Sequence, residues 1–237
     1  WRDAQAERDA DRRRQQDEAA IQAQAILDAA RPATADHPYL ARKGVPAYPG
    51  VMLGAWSQRQ CDQCLLIPLR TADGQLATVQ AIFPAKPATG RDKDFLKDGA
   101  QQGAHFVTGD LHTANTVIVA EGYATAATLH EATGYPAVMA MDAGNLRPIA
   151  EILKKLHPAK QFIIAGDNDR KDDGTNPGVK AATAAAKAIK AALAVPQFAD
   201  GEAGSDFNDL AALHGLDAVR AAIEVATSTP EPAAIEQ

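Results

Sequence analysis

The sequence is poor in cysteine and in long apolar runs, and each shortage excludes a class of protein. Two cysteines among 237 residues cannot hold together a disulfide-rich fold of this size. No apolar run approaches the roughly 18 residues of a membrane span, so we expect no membrane partner. The chain starts at Trp1 without a basic and apolar leader. We therefore expect a cytoplasmic protein, and a fragment of a longer one.

A net basic charge is also lacking. The formal net charge is -6, whereas a protein that coats duplex DNA normally carries a basic field. An acidic balance suits an enzyme whose clustered carboxylates hold divalent cations, because the metal neutralises its own site.

The first half of the chain predicts a helix followed by a small lobe. Residues 1–31 contain neither Gly nor Pro and are rich in helix formers, so we expect an exposed helix whose end docks on the body. Residues 32–113 are punctuated by Pro and Gly. Two strand-like runs, 65–69 and 78–83, flank an Asp-Gly turn. This pattern predicts a small α+β lobe with a two- or three-stranded antiparallel sheet.

From residue 114 the pattern changes to short apolar runs that alternate with helical segments. The runs lie at 117–120, 137–141, 161–165 and 194–198, and helices are expected at about 124–132, 147–156 and 178–193. Such alternation is typical of βαβ units. We therefore predict an α/β domain over 114–226, with a four-stranded parallel sheet and helices on both faces. Residues 227–237 are rich in Pro, Ser and Glu and predict a tail or linker.

Acidic residues follow the predicted strands. Glu121 follows the first strand, and Asp167 and Asp169 follow the third. Functional groups of such sheets lie at the carboxyl ends of the strands. In an extended D-x-D segment both carboxylates can face one cation, and oxygen-only ligation suits Mg²⁺ or Mn²⁺. The alternative is that Asp167 or Asp169 only caps the next helix.

Two further positions, Gly122 and Asp206, each have two interpretations. Gly122 lets the chain turn sharply and leaves backbone N–H groups near a helix start, where phosphate binds, but it also fits a plain turn. Asp206 begins a further helix, either as its N-cap or as a fourth acidic ligand, and these roles are compatible.

Three segments carry a family resemblance: EGYATAATL (121–129), GDNDR (166–170) and SDFNDL (205–210). They resemble the Toprim domain of DNA primases, in particular primases of conjugative plasmids and the alpha-type primases of satellite phages. HPYLARKGV (37–45) and the stretch 95–106 resemble the small lobe that precedes Toprim in those proteins. The resemblance covers about residues 32–225. It implies synthesis of RNA primers from NTPs on a single-stranded DNA template, with release of pyrophosphate.

The resemblance also implies roles for individual residues. Glu121 would be a metal ligand and general acid/base, and Asp167 and Asp169 would bind metal. Asp206, and less directly Asp209, would complete an acidic set around two Mg²⁺ or Mn²⁺ ions. DnaG-type primases carry an Asp where this chain has Thr125, so one ligand of that subfamily is missing. The zinc-binding module usual in primases is missing as well, and a helicase, relaxase or zinc-binding module would be another domain of the parent protein.

Further positions are candidates for binding nucleotide or template. They are basic side chains of the small lobe and of the helix after Pro177, together with two positions at strand ends: Arg42, Lys43, Lys97, Lys180, Gly122 and Asn145. The alternative for each lysine is an ordinary solvated side chain.

Two rival functions and one other motif complete the analysis. A Toprim nuclease would deliver water or Tyr123 in place of a 3′-hydroxyl, and a non-catalytic module would only bind nucleic acid. Cys61-x-x-Cys64 lacks the second pair of ligands that a structural zinc needs. We expect it to be two thiols at the edge of a hairpin.

Overall fold

The computed structural model describes residues 2–87 and 90–228, and the chain divides into two compact units, 1–106 and 107–237. The predicted boundaries after residues 31, 113 and 226 stay predictions. The described helices are α1 (Arg2–Asp28), α2 (Pro38–Lys43), α3 (Tyr123–Thr133), α4 (Ala143–Leu156), α5 (Pro177–Ile189), α6 (Phe207–His214) and α7 (Leu216–Ser228). No helix in the described part of the chain is both long and apolar enough to cross a membrane.

The strands belong to two sheets. Those of the first are β1 (Arg31–Pro32), β2 (Met52–Trp56), β3 (Cys61–Arg70), β4 (Leu76–Ile82) and β5 (Lys93–Phe95). Those of the second are β6 (Phe106–Thr108), β7 (Thr116–Ala120), β8 (Ala137–Met139), β9 (Gln161–Ala165) and β10 (Ala192–Ala194).

The first unit is an antiparallel sheet covered on one face by α1. Strands β1 to β5 follow one another in chain order, so the predicted two- or three-stranded sheet is too small. The predicted hairpin is confirmed as β3–β4, and Gly74 in its turn has a φ of 85°, which favours glycine. Ala19 and Ala23 of α1 pack into the same apolar cluster as Trp56. The end of α1 therefore docks as predicted, while residues 4–18 are largely exposed.

The two cysteines lie in the part of β3 that precedes its pairing with β4. Cys61 and Cys64 pair with β2, whereas the register with β4 begins at Leu65. This position, beyond the ladder of the β3–β4 hairpin, agrees with the expected hairpin edge. Cys64 is fully buried in the cluster under α1, and Cys61 is half-buried. Burial and a hydrogen bond with Cys61 raise the pKa of the Cys64 thiol. Cys64 is therefore a protonated core side chain.

We expect the two cysteine positions to respond differently to substitution. Cys64→Ser would lower the free energy of unfolding by about 1–2 kcal/mol, because a hydroxyl enters an apolar cluster. Cys61→Ser should be close to neutral, and neither variant should change the zinc content. Urea unfolding and metal analysis test this. Stoichiometric zinc that disappears in the variants would contradict it.

The second unit has a parallel sheet between two layers of helices. Its strand order is β10-β9-β7-β8-β6. Strands β7 to β10 are the four predicted parallel strands, and β6 is a fifth strand that the sequence analysis missed. Helices α4 and α5 pack together on one face, and α3, α6 and α7 pack together on the other. The predicted fold class is confirmed.

Some predicted bounds of the second unit were wrong. Helix α4 begins at Ala143 and not at 147, because Asp142 caps it and Pro148 is accommodated inside the helix. Helix α5 ends at Ile189 and not at residue 193. Strand β10 begins at Ala192, two residues before the start of the predicted run 194–198. Residues 227 and 228 of the predicted tail belong to α7, and the rest of that tail lies outside the described residues.

Candidate functional site

Two acidic residues leave neighbouring central strands at the carboxyl edge of the parallel sheet. Ala120, the last residue of β7, pairs with Ala165, the last residue of β9. Adjacent strands lie about 5 Å apart, so Glu121 and the segment that leads to Asp167 leave the sheet side by side. Both residues are half-buried. The strand-end placement expected from the sequence is therefore seen for both.

The chain turns into helix α3 directly after Glu121. Gly122 is the N-cap of α3 in an extended conformation and, because glycine has no side chain, it makes no side-chain cap hydrogen bond. Tyr123, the first helical residue, is fully buried. Glu121 is thus held between a buried strand and a buried helical residue, which restricts where its side chain can go.

The two aspartates of the D-x-D segment have different surroundings. Oδ1 of Asp167 is shielded from solvent. Oδ1 of Asp169 accepts a hydrogen bond from the backbone N–H of Gly178 at 2.9 Å, and its Oδ2 lies 3.4 Å from Nζ of Lys171. Asp169 therefore does cap the first turn of α5, as the alternative interpretation allowed. Its role in metal binding stays a prediction.

Gly178 is packed against both aspartates. A Cβ at this position would lie 2.5 Å from the carbonyl oxygen of Asp167 and 2.8 Å from Oδ1 of Asp169. Both distances are too short for real atoms. A side chain here would displace the D-x-D segment, so only glycine fits.

Asn168 connects the D-x-D segment by hydrogen bonds to three other segments of the chain, and the sequence analysis missed this role. Its backbone N–H donates to the carbonyl of Ser205 at 2.6 Å, and its Nδ2 donates to the carbonyl of Pro196 at 2.9 Å. Its Oδ1 accepts from Nδ2 of Asn176 at 2.8 Å, and Asn176 is the N-cap of α5. The sequence does hold a signal for Asn176, since Asn before Pro is a typical helix start.

We expect Asn168→Ala to destabilise the protein by about 1–3 kcal/mol, because the buried Pro196 and the half-buried Asn176 lose their hydrogen bonds. Asn115→Ala is the matched control and should change stability by less than about 0.5 kcal/mol. Urea unfolding of both variants gives the comparison. Equal and small decreases in the free energy of unfolding for both variants would show that the hydrogen bonds of Asn168 do not stabilise the protein.

Asp206 and Asp209 both stabilise the start of helix α6. Asp206 is the N-cap and accepts from the backbone N–H of Asp209 at 2.8 Å. Oδ2 of Asp209 accepts from the N–H of Ser205 at 3.0 Å, one residue before the donor of a standard capping box. Nδ2 of the buried Asn208 donates to Oγ1 of Thr128 at 2.9 Å and ties α6 to α3. The N-cap interpretation of Asp206 is thus seen, while metal binding by either aspartate stays a prediction.

The turn after β8 is tight and internally bonded. Asp142 accepts from the N–H of Asn145 at 3.0 Å, and Nδ2 of the buried Asn145 donates to the carbonyl of Ala140 at 3.0 Å. Met141 between them has a φ of 76°, in the left-handed region. Asn145 therefore shapes this turn, and its predicted contact with nucleotide stays a prediction.

The candidate basic residues are largely exposed. In the first unit, Arg42 donates to the carbonyl of Pro84 at 3.1 Å and lies over the ring of Tyr39, and Lys43 is half-buried. Lys97 is exposed, with its Nζ 3.9 Å from Oδ2 of Asp98. In the second unit, Lys180 is exposed in the first turn of α5.

The donor chemistry fits a hard divalent cation. Over residues 2–87 and 90–228, no three His, Cys, Asp or Glu side chains are grouped as metal ligands. Mg²⁺ in phosphate-handling sites is usually held by one or two carboxylates together with substrate phosphates. Glu121 and Asp167, which supply only oxygen, match that requirement.

Residues 116–217 match the family model of the Toprim domain. The parallel sheet and its acidic edge therefore belong to a Toprim domain, as the motifs indicated. Its relatives include proteins named DNA primase. The chain is 39% identical to DNA primase TraC of Escherichia coli over an alignment of 187 residues. This alignment covers 76% of this chain and 16% of that protein. A second Escherichia coli protein of the same name is 39% identical over 171 residues. The chain spans only 16% and 11% of the lengths of these relatives.

Solved primase structures share the fold. The RNA polymerase domain of Mycobacterium tuberculosis primase DnaG has a TM-score of 0.58 and 18% identity, over 89% of this chain and 82% of that one. A DnaG primase catalytic domain bound to ssDNA has a TM-score of 0.57 and 17% identity, over 91% of this chain and 80% of that one. At such identities the likeness concerns the fold.

Proposed function

We propose that this chain is the catalytic core of a DNA primase, which joins NTPs into short RNA primers on a single-stranded DNA template. The observation that carries the proposal is the placement of Glu121 and Asp167 on neighbouring central strands of a Toprim sheet. The similarity to two proteins named DNA primase and to primase catalytic domains supports it.

The proposed reaction is nucleotidyl transfer. The 3′-hydroxyl oxygen of the primer forms a bond to the α-phosphorus of the incoming NTP. The bond from that phosphorus to the oxygen that bridges to the β-phosphate breaks, and pyrophosphate leaves with the electron pair. The hydroxyl proton passes to a base, and the half-buried Glu121 at the end of β7 is the residue we assign to it.

The metal requirement follows from the same residues. Two Mg²⁺ or Mn²⁺ ions, when bound, would offset negative charge on the attacking and leaving oxygens. Glu121 and Asp167 would hold them, with Asp169 and Asp206 as further ligands. Because Oδ1 of Asp169 already accepts from Gly178, we assign metal ligation by Asp169 to its Oδ2.

The phosphates of the substrate require cationic side chains or N–H groups in addition to the carboxylates of Glu121 and Asp167. We propose Arg42, Lys43 and Lys97 of the first unit for the template and the NTP. For phosphates at the carboxyl edge of the Toprim sheet we propose Lys180 together with Gly122 at the start of α3. The helicase, relaxase or zinc-binding module remains a proposed partner domain.

The rival nuclease gains no support from Tyr123. Its side chain is fully buried in the first turn of α3, so its hydroxyl is not presented to a substrate. A nuclease that delivers water and a non-catalytic module are left as outcomes of the test.

The test incubates the 237-residue chain with labelled NTPs, Mg²⁺ and single-stranded DNA. New oligomers of RNA support the proposal. Cleaved template identifies a nuclease, and a mobility shift alone identifies a binding module. The Asp167→Asn variant, run in parallel, distinguishes synthesis by this chain from that of a contaminant.

A further inference from the structure

A cavity lies at the edge of the Toprim sheet opposite to the acidic residues. It has a volume of about 320 Å³ and is lined by the first residues of β9 and β10, Gln161 and Ala192, and by Thr227 near the end of α7. Strand β9 is five residues long, so about 16 Å of strand separates this cavity from the edge that carries Glu121. The cavity is therefore not part of the acidic site.

Three of the residues that line this cavity are lysines, and two of them have fixed ammonium groups. Nζ of Lys154 donates to the carbonyls of Pro158 at 3.0 Å and Lys160 at 3.1 Å. Nζ of Lys160 donates to the carbonyls of His112 and Ala114. An ammonium group has three N–H donors, so each of these two retains one beyond these carbonyl bonds. The ammonium group of Lys154 also lies over the ring of Phe162, 5.7 Å from its centroid.

The third lysine, Lys190, ends helix α5 and is exposed. It occupies the left-handed C-cap position, and its backbone N–H donates to carbonyls of the last turn. A cation at a helix C-terminus interacts favourably with the helix dipole.

No acidic side chain lines the cavity among the residues that the structure describes. The acidic neighbour of Lys160 is Asp110, and its carboxylate already accepts from the N–H of His112 at 2.8 Å and from Oγ1 of Thr113 at 3.0 Å. Three lysines around one cavity repel one another, and a bound polyanion would relieve that repulsion. This local excess of positive charge stands out in a chain of net charge -6.

We propose that this cavity binds a small phosphate-bearing anion, of the size of pyrophosphate or the phosphate tail of a free nucleotide. Ammonium groups that are fixed by the backbone form charge-assisted hydrogen bonds to phosphate oxygens with little loss of side-chain freedom. The volume is at the lower end of the range for small-molecule sites, which favours a free anion over a nucleic acid strand.

The test titrates the full chain with inorganic pyrophosphate in the presence of EDTA, so that no divalent cation recruits the anion to the acidic edge. Calorimetry gives Kd, and amide NMR shifts give the location. We expect the shifts to concentrate at Lys190, Ala191 and Thr227. Lys190→Asn should weaken binding about tenfold, since Asn tolerates the left-handed backbone and removes one charge. Thr227→Glu, an exposed helical position, should abolish binding by adding a negative charge.

Lys187→Gln is the matched control, because it removes the same charge from α5 outside the cavity. Its Kd should stay within about twofold of the original, and thermal unfolding should be unchanged in all three variants. The proposal is overturned by an absence of binding, by shifts that concentrate at Glu121 to Tyr123, or by equal losses in Lys190→Asn and Lys187→Gln. A short single-stranded oligonucleotide that gives the same shifts more strongly than pyrophosphate would also overturn it.

Discussion

Replacing Glu121 with Gln is expected to slow primer synthesis at least about 100-fold, which is the lower range for general acid–base catalysis, while binding of single-stranded DNA is largely kept. Gln has nearly the same size and can still form hydrogen bonds, but it cannot accept the proton of the 3′-hydroxyl. The backbone at this position is held by β7 and by the N-cap of α3, so the substitution should leave the fold unchanged.

Primer synthesis and a binding titration on the same variant decide the role of Glu121. Binding should survive because we assign the template to the basic side chains of the first unit. Near-normal synthesis would remove Glu121 from the mechanism. Equal loss of synthesis and binding would make it a structural residue.

Asp167→Asn and Asp169→Asn are each expected to reduce Mg²⁺- or Mn²⁺-dependent synthesis more than about 100-fold, because a lost metal ligand forfeits several kcal/mol of stabilisation in the transition state. Both proteins should stay folded. The Asn side chain keeps the oxygen that accepts from Gly178, so the cap of α5 survives in Asp169→Asn.

Asp172→Asn is the matched control for these two variants, since it removes a charge from an exposed position of the same loop. It should leave synthesis unchanged, and thermal unfolding should show all three variants folded. Full activity of Asp169→Asn alone would assign Asp169 to the helix cap only. Full activity of both D-x-D variants would refute the metal assignment.

The parts of the fold that could be predicted are those with a strong periodic signal. The apolar runs that became β7 and β9 and the Gly- and Pro-free segment that became α1 were located within a few residues. The strands that were missed, β1, β2, β5 and β6, are two to five residues long and too short for a clear period-2 pattern. They exist because pairing with a neighbour satisfies their backbone groups.

In the candidate site, only the residues whose position follows from the order of strands and helices could be predicted. The end of a strand is visible in the sequence, so Glu121 and Asp167 were found. The partners of Asn168 lie on three segments that meet only in the folded chain, at Asn176, Pro196 and Ser205. Likewise, nothing in a D-x-D motif reveals which carboxylate will accept the N–H of a helix that begins several residues later.

The register of the parallel sheet also has a consequence for the order of folding. Leu69 pairs with Thr78 across a short turn, whereas Ala120 and Ala165 are separated in sequence by α3, β8 and α4. Contacts between residues close in sequence form early, and long-range parallel pairings form slowly. The hairpin of the first unit should therefore precede the central strands of the second, and the bonds of Asn168 should form last. Interactions that form after the folding barrier mainly set the rate of unfolding, so the segment that carries the acidic residues governs how long the native state persists.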